Sequence, residues 1–109
     1  MVFGMAGMYG MNDLLNLVAR ESAEELRLEP GRPPIIVLHG KARVVDSSLL
    51  TSDNVNELFR GIATEEQSRE LRRCGAIHFN FAAQNSARFW VNAVVQGEAL
   101  GLTIKNLGR

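Results

Sequence analysis

Residues 76–105 read AIHFNFAAQNSARFWVNAVVQGEALGLTIK, and the fold turns on them. Ile77, Phe79 and Phe81 alternate with His78 and Asn80, the period of a strand that buries one face. A polar turn at Gln84-Asn85-Ser86 leads into a long strand from Ala87 to Gln96. Gly97-Glu98 turns the chain back into a last strand, in which Leu100, Leu102 and Ile104 alternate. Connections this short join neighbouring antiparallel strands, so the stretch is predicted to form a three-stranded meander. Phe89, Val91, Ala93 and Val95 are expected to face the core. Arg88, Trp90 and Asn92 then share the other face, because alternate residues of a strand point the same way.

Upstream of the meander lie two helices. Val55, Leu58, Phe59 and Ile62 form one helical face that Thr51 or Ser52 can cap, with Gly61 near its end. Thr64 and Gln67 have the spacing of a capping box for the next helix, which carries Leu71 and Cys74 and stops near Gly75. Before these, Ile35-Ile36-Val37-Leu38 is a β-branched apolar run held extended by Pro33 and Pro34. Gly40-Lys41 is the expected hairpin turn, and Ala42 to Val45 the return strand. Leu26 and Leu28 alternate with Arg27 and Glu29 as a further strand ended by Pro30-Gly31. Met11, Leu14, Leu15 and Val18 mark a first helix from about Asp13 to Ser22, with Asn12 as its cap.

The expected fold is thus α/β of the α+β kind, a PAS-like antiparallel sheet of about five to six strands with helices packed on it. Residues 11–109 make one domain, and Met1 to Gly10, rich in Met and Gly and uncharged, is expected to be a flexible arm. A secretory signal needs a basic leader and a longer apolar core, and a membrane-spanning helix needs about 20 apolar residues. The single cysteine, Cys74, has no partner for an internal disulfide, which fits a reducing, cytoplasmic compartment. Twelve basic and twelve acidic side chains cancel, so the long-range attraction used by nucleic-acid binders is missing.

Catalytic patterns are scarce. His39 and His78 have no second Cys, His or carboxylate at the spacing of a metal site, and both read as surface or interface residues. Cys74 falls at a helix C-terminus, which opposes a thiolate, and is expected to be a buried, inert thiol. Ser47, Ser48, Ser52 and Ser86 sit in turns or caps, with no base and acid to activate them. Glu24-Glu25 and Glu65-Glu66 are adjacent pairs whose members point apart, as solvated faces do. The glycines form no phosphate loop. The chain is therefore expected to be no enzyme, with no cofactor and no metal. The candidate interface is Arg88, Trp90 and Asn92, rimmed by Arg27, Arg32 and Arg43, since Trp and Arg mark contact hot spots.

In order along the chain stand Ser22-Ala23-Glu24-Glu25-Leu26-Arg27-Leu28, Gly31-Arg32-Pro33-Pro34 through Gly40, Leu50-Thr51, Thr64-Glu65-Glu66-Gln67 and Arg88-Phe89-Trp90-Val91-Asn92. From about Met11 to Arg109 this series resembles the amino-terminal domain of type IV pilus retraction ATPases, the PilT-like branch of the secretion ATPases. Three positions depart from the pattern. The family usually has arginines where this chain has Val37 and Trp90, and an arginine in place of Lys105. In that family such basic groups lie near nucleotide bound by the motor domain, whose phosphate loop and Asp- and His-boxes would follow Arg109. The chain is then an excised domain or a free-standing relative. The resemblance implies a domain that packs on the motor domain of a neighbouring subunit in a hexameric ring, or on itself. It would have no nucleic-acid partner and no transmembrane segment, and would meet the pilus machinery at the inner membrane only indirectly. The other reading, from element order alone, is a free-standing PAS-like sensory module with a small ligand between sheet and helices.

Overall fold

The structure, a computed structural model, describes residues 10–83 and 86–108. Most of the expected arm at Met1 to Gly10, and Gln84 and Asn85 of the expected turn, lie outside the described residues. The elements in chain order are α1 (Met11–Glu21), β1 (Glu25–Leu28), β2 (Ile35–Leu38), β3 (Lys41–Val44), α2 (Ser52–Arg60), α3 (Glu65–Cys74), β4 (Ala76–Ala82), β5 (Arg88–Gln96) and β6 (Ala99–Gly108).

Local chemistry sets the ends of these elements. In α2, Thr51 Oγ1 accepts from the Asn54 N–H at 3.0 Å and Asn54 Oδ1 accepts from the Thr51 N–H at 2.9 Å. In α3, Thr64 and Gln67 form the same reciprocal box at 3.1 and 2.9 Å, and Gly75 ends the helix at φ 84°. Helix α1 begins ahead of the expected Asp13, because Met11 belongs to its buried face. Gly10, not Asn12, occupies the cap, and its N–H donates to Asp13 Oδ2 at 3.0 Å. The β2–β3 turn also falls one residue earlier than expected. His39 and Gly40 both have positive φ, 51° and 78°, as a two-residue hairpin turn with the right twist requires, and Lys41 already pairs with Leu38.

All six strands join one antiparallel sheet in the order β3-β2-β1-β6-β5-β4. The two outer groups are hairpin-connected meanders. They meet where β1 pairs with β6, Leu26 opposite Ile104 and Leu28 opposite Leu102. Register then runs across the whole sheet. One row reads Arg43, Ile36, Leu26, Ile104, Val91, Phe79, and the next inward row reads Leu28, Leu102, Ala93, Ile77.

These rows, with Phe89 and Leu100, meet the apolar faces of all three helices: Met11, Leu14, Leu15 and Val18 from α1, Val55, Leu58 and Phe59 from α2, and Leu71 from α3. Phe59 and Phe79 pack edge-to-face at 6.3 Å. Among the described residues the core holds no polar side chain. The helices therefore all lie on one face of the sheet, and the other face is free of them.

Two substitutions test this account. Phe89 is fully buried, so Phe89→Ala should cost about 3–5 kcal/mol in denaturant unfolding. Thr64→Ala removes one half of a capping box on an exposed helix end and should cost about 1 kcal/mol by the same measurement.

Candidate functional site

The helix-free face is crossed by two further register rows. The first reads Ala42, Val37, Glu25, Lys105, Trp90, Asn80, and the second Val44, Ile35, Arg27, Thr103, Asn92, His78. Trp90 points away from the helices, so no helix of the described chain covers it. Its only ring partner among the described residues is His78, whose imidazole lies 4.8 Å from the indole at 31°. That contact leaves Trp90 half-buried, while Arg88 and Asn92 on either side of it along β5 are exposed. Val37, Lys105 and Trp90 fall in a single row across the sheet.

The charge on this face is uneven. From Gly75 to Arg109 the sole carboxylate is Glu98, in the β5–β6 turn, so the three strands of the second meander carry none. Arg88 and Lys105 make no ion pair among the described residues, whereas Arg27 is bound by Glu25, 2.5 Å away on its own strand. Gly101 leaves a shallow depression of about 280 Å³ beside this patch, lined by Asn92, Val94, Gln96 and Thr103 with Glu29 and Pro30. A Cβ at Gly101 would meet nothing closer than 3.7 Å. The depression is thus a property of the surface and is not required by packing.

The candidate residues separate accordingly. Arg88, Trp90, Asn92 and Arg27 share the helix-free face, with Arg27 and Asn92 in the same row across Thr103. Arg32 sits in the β1–β2 turn at the margin, 3.6 Å from Glu29. Arg43 does not join them. It is opposite Ile36, which faces the core, so Arg43 emerges on the helix side at the β3 edge.

Other sequence candidates resolve simply. Cys74 is exposed, contrary to the expectation of burial, because the helix face presented to the sheet at the end of α3 is held by Leu71. Its thiol donates to Glu70 Oε2 at 3.3 Å. That hydrogen bond, followed by desolvation and the Glu70 charge, pushes the thiol pKa up and disfavours the thiolate. Glu70 itself is held below its usual range, chiefly by its bond to Arg73. His39 is an exposed turn residue. Among the described residues no cluster of His, Cys, Asp and Glu could hold a metal ion, and no helix is long and apolar enough to cross a membrane.

A separate groove of about 640 Å³, open to solvent, lies between α2, α3 and the β5–β6 hairpin. Phe59, Leu71, Val95 and Leu100 line it below, and Arg60, Arg69 and Arg72 stand at its margin. Sequence reasoning did not find this groove. The arginines sit on polar helix positions that look like any solvated face, and the gap between helices and hairpin is a tertiary property.

No protein-family model matches the chain. By sequence it is 28% identical over 97 residues to the type IV pilus retraction ATPase PilT of Pseudomonas aeruginosa, covering 89% of this chain and 28% of that protein. It is 24% identical over 94 residues to the type IV pilus ATPase PilU of the same organism, covering 86% of this chain and 25% of PilU. By structure it superimposes on the pilus retraction motor PilT crystallised with ADP, with a TM-score of 0.81 at 18% identity over 89% of this chain and 29% of that one. The Legionella pneumophila ATPase DotB follows with a TM-score of 0.74 at 17% identity, over 90% and 29% of the respective chains. The chain thus spans little more than a quarter of the length of these relatives. Sequence and fold agree: the chain is homologous to about a quarter of PilT and PilU, and its α+β sheet matches the fold of the corresponding part of PilT.

Proposed function

We propose that this chain is a non-catalytic assembly domain of a type IV pilus motor of the PilT kind, a part of the twitching-motility machinery working in the cytoplasm. Its helix-free sheet face packs against a neighbouring motor domain. The observation that carries this reading is the position of Trp90, which stands on the helix-free face, one strand in from the β4 edge, with Arg88, Asn92 and Lys105 around it. A large aromatic that the domain's own helices leave uncovered has more to gain from a partner than from the core, and Trp–Arg groupings of this kind dominate contact energies. Homology to the amino-terminal part of retraction ATPases supplies the kind of partner.

The groove between α2, α3 and the β5–β6 hairpin favours a second reading, a small-ligand sensory module, because it lies between helices and sheet and has an apolar floor. A thermal shift of several degrees with one member of a metabolite panel would support it. No shift across the panel would remove it.

One experiment tests the assembly-domain reading. In sedimentation of this chain mixed with a PilT motor domain, Trp90→Ala should weaken association about tenfold or more. Its unfolding free energy should fall by only about 1 kcal/mol, the worth of the ring contact with His78. Unchanged binding would dismiss Trp90 as an anchor, and a loss as large as that of Phe89→Ala would make it a core residue.

A further inference from the structure

The two edges of the sheet are built in opposite ways. Strand β3 is short, wholly exposed and carries Lys41 and Arg43, the usual means by which an edge resists pairing with another chain. Strand β4 is seven residues long, and its register with β5 is unbroken from Ala76 to Ala82. It contains no Lys, Arg, Asp, Glu or Pro. An edge of this length and composition is a template for a further strand.

The direction of its free hydrogen-bonding groups follows from the hairpin. The Val95 N–H donates to the Gly75 carbonyl and the Ala83 N–H to the Ala87 carbonyl, each at 2.8 Å. Residues 75 and 83 are therefore in hydrogen-bonded pairs with β5. Pairs of this kind recur every second residue of an antiparallel ladder, so 77, 79 and 81 also bond to β5. Ala76, His78, Asn80 and Ala82 then aim their N–H and C=O groups away from the sheet, and no hydrogen bond of the described chain uses those groups.

The strand also reads nearly the same in both directions. Ala76-Ile77-His78-Phe79-Asn80-Phe81-Ala82 runs small, apolar, polar, aromatic, polar, apolar, small about Phe79. We propose that β4 pairs antiparallel with β4 of a second copy of this chain about a twofold axis through Phe79, making one continuous sheet from two domains. In that register Ala76 faces Ala82 of the other copy, Ile77 faces Phe81, His78 faces Asn80 and Phe79 faces itself. The outward-pointing pairs, 76 with 82 and 78 with 80, are those that exchange backbone hydrogen bonds. On the helix side Ile77, Phe79 and Phe81 are only half-buried, since β4 has no outer neighbour, and pairing would cover them. The contact is isologous, as closed dimers require, and no like charges meet across it. One strand pair buries less area than a permanent dimer needs, so the association is weak and grows with protein concentration. This inference does not depend on the assembly-domain reading, because it concerns the chain alone.

The test is sedimentation equilibrium of the purified chain over a wide concentration range. The average mass should climb from the 12.0 kDa monomer toward twice that value. Asn80→Pro deletes an outward N–H without touching the β5 ladder, a position where an edge strand tolerates proline, and should weaken the dimer about tenfold or more. His78→Lys with Asn80→Lys sets lysines opposite each other twice and should also weaken it. His78→Glu with Asn80→Lys sets opposite charges together twice and should strengthen it by roughly threefold or more. If Asn80→Pro lowers the melting temperature severely, the two charge variants decide the matter. A strict monomer at the highest attainable concentration would overturn the proposal. So would a dimer indifferent to these substitutions, or one lost with Trp90→Ala and kept with Asn80→Pro, which would place the contact on the helix-free face.

Discussion

The pairing of β1 with β6 is the constraint on which the rest of the domain depends. It joins residues 25–28 to residues 102–105, across most of the chain, and turns two separate meanders into one sheet. Neither meander has enough neighbours by itself to bury Leu26 and Leu28 or Leu102 and Ile104. Together these four residues are almost completely excluded from water. The seam is reinforced beyond the last pair, where the Asn106 N–H donates to the Glu24 carbonyl and Asn106 Nδ2 donates to the Ala23 carbonyl, both at 2.9 Å. Closing so long a loop costs entropy that local contacts cannot recover, so the seam holds only because the helices seal it from one side.

One-sided burial then follows. All three helices leave the chain on the same side of the sheet, and their apolar faces converge on a single set of inward rows. The outward rows are left with residues that suit water in part: Lys105, Thr103, Asn92, Asn80, and among them Trp90. A tryptophan buried at this position would have to find a partner for its indole N–H inside an otherwise wholly apolar core. Facing out, it needs none, and among the described residues its one ring contact is the exposed His78.

Much of this was legible in the sequence, and the reasons differ by element. The meander was readable because alternation in β4, β5 and β6 is strict and the turns between them are short. The boxes at Thr51 and Thr64 were readable because each needs only residues three apart. Errors arose where a local signal was weaker than a packing demand. Asn12 is a better cap than Gly10 by residue type, but Met11 is required by the buried face of α1, which moves the start of the helix forward. Gly40-Lys41 looks like a turn until the twist of the hairpin is considered, which calls for positive φ at both central positions and so takes His39 with Gly40. Cys74 was expected to be inside because thiols often are, yet Leu71 already occupies the inward position of that last turn. Arg43 was grouped with the interface arginines for its type alone. Its side is decided by register with Ile36, and no pattern within β3 itself reveals that, since all four residues of the strand are exposed.

The order of strands has a last consequence for how the surfaces can be used. Trp90 lies on β5, one strand in from the β4 edge, and its His78 neighbour lies on β4 itself. A partner seated on the helix-free face approaches along the normal to the sheet, whereas a strand added at β4 approaches within its plane. The two directions are perpendicular, so neither occupant blocks the other's hydrogen bonds. Because antiparallel pairing keeps like faces on the same side, two domains joined at β4 would also place both Trp90 side chains on one continuous surface. A face that binds weakly alone gains from being presented twice at fixed spacing, with no new contact needed. The strand order leaves the β4 edge open and the one-sided packing of the helices leaves the aromatic face open, so pairing at the first would double the second.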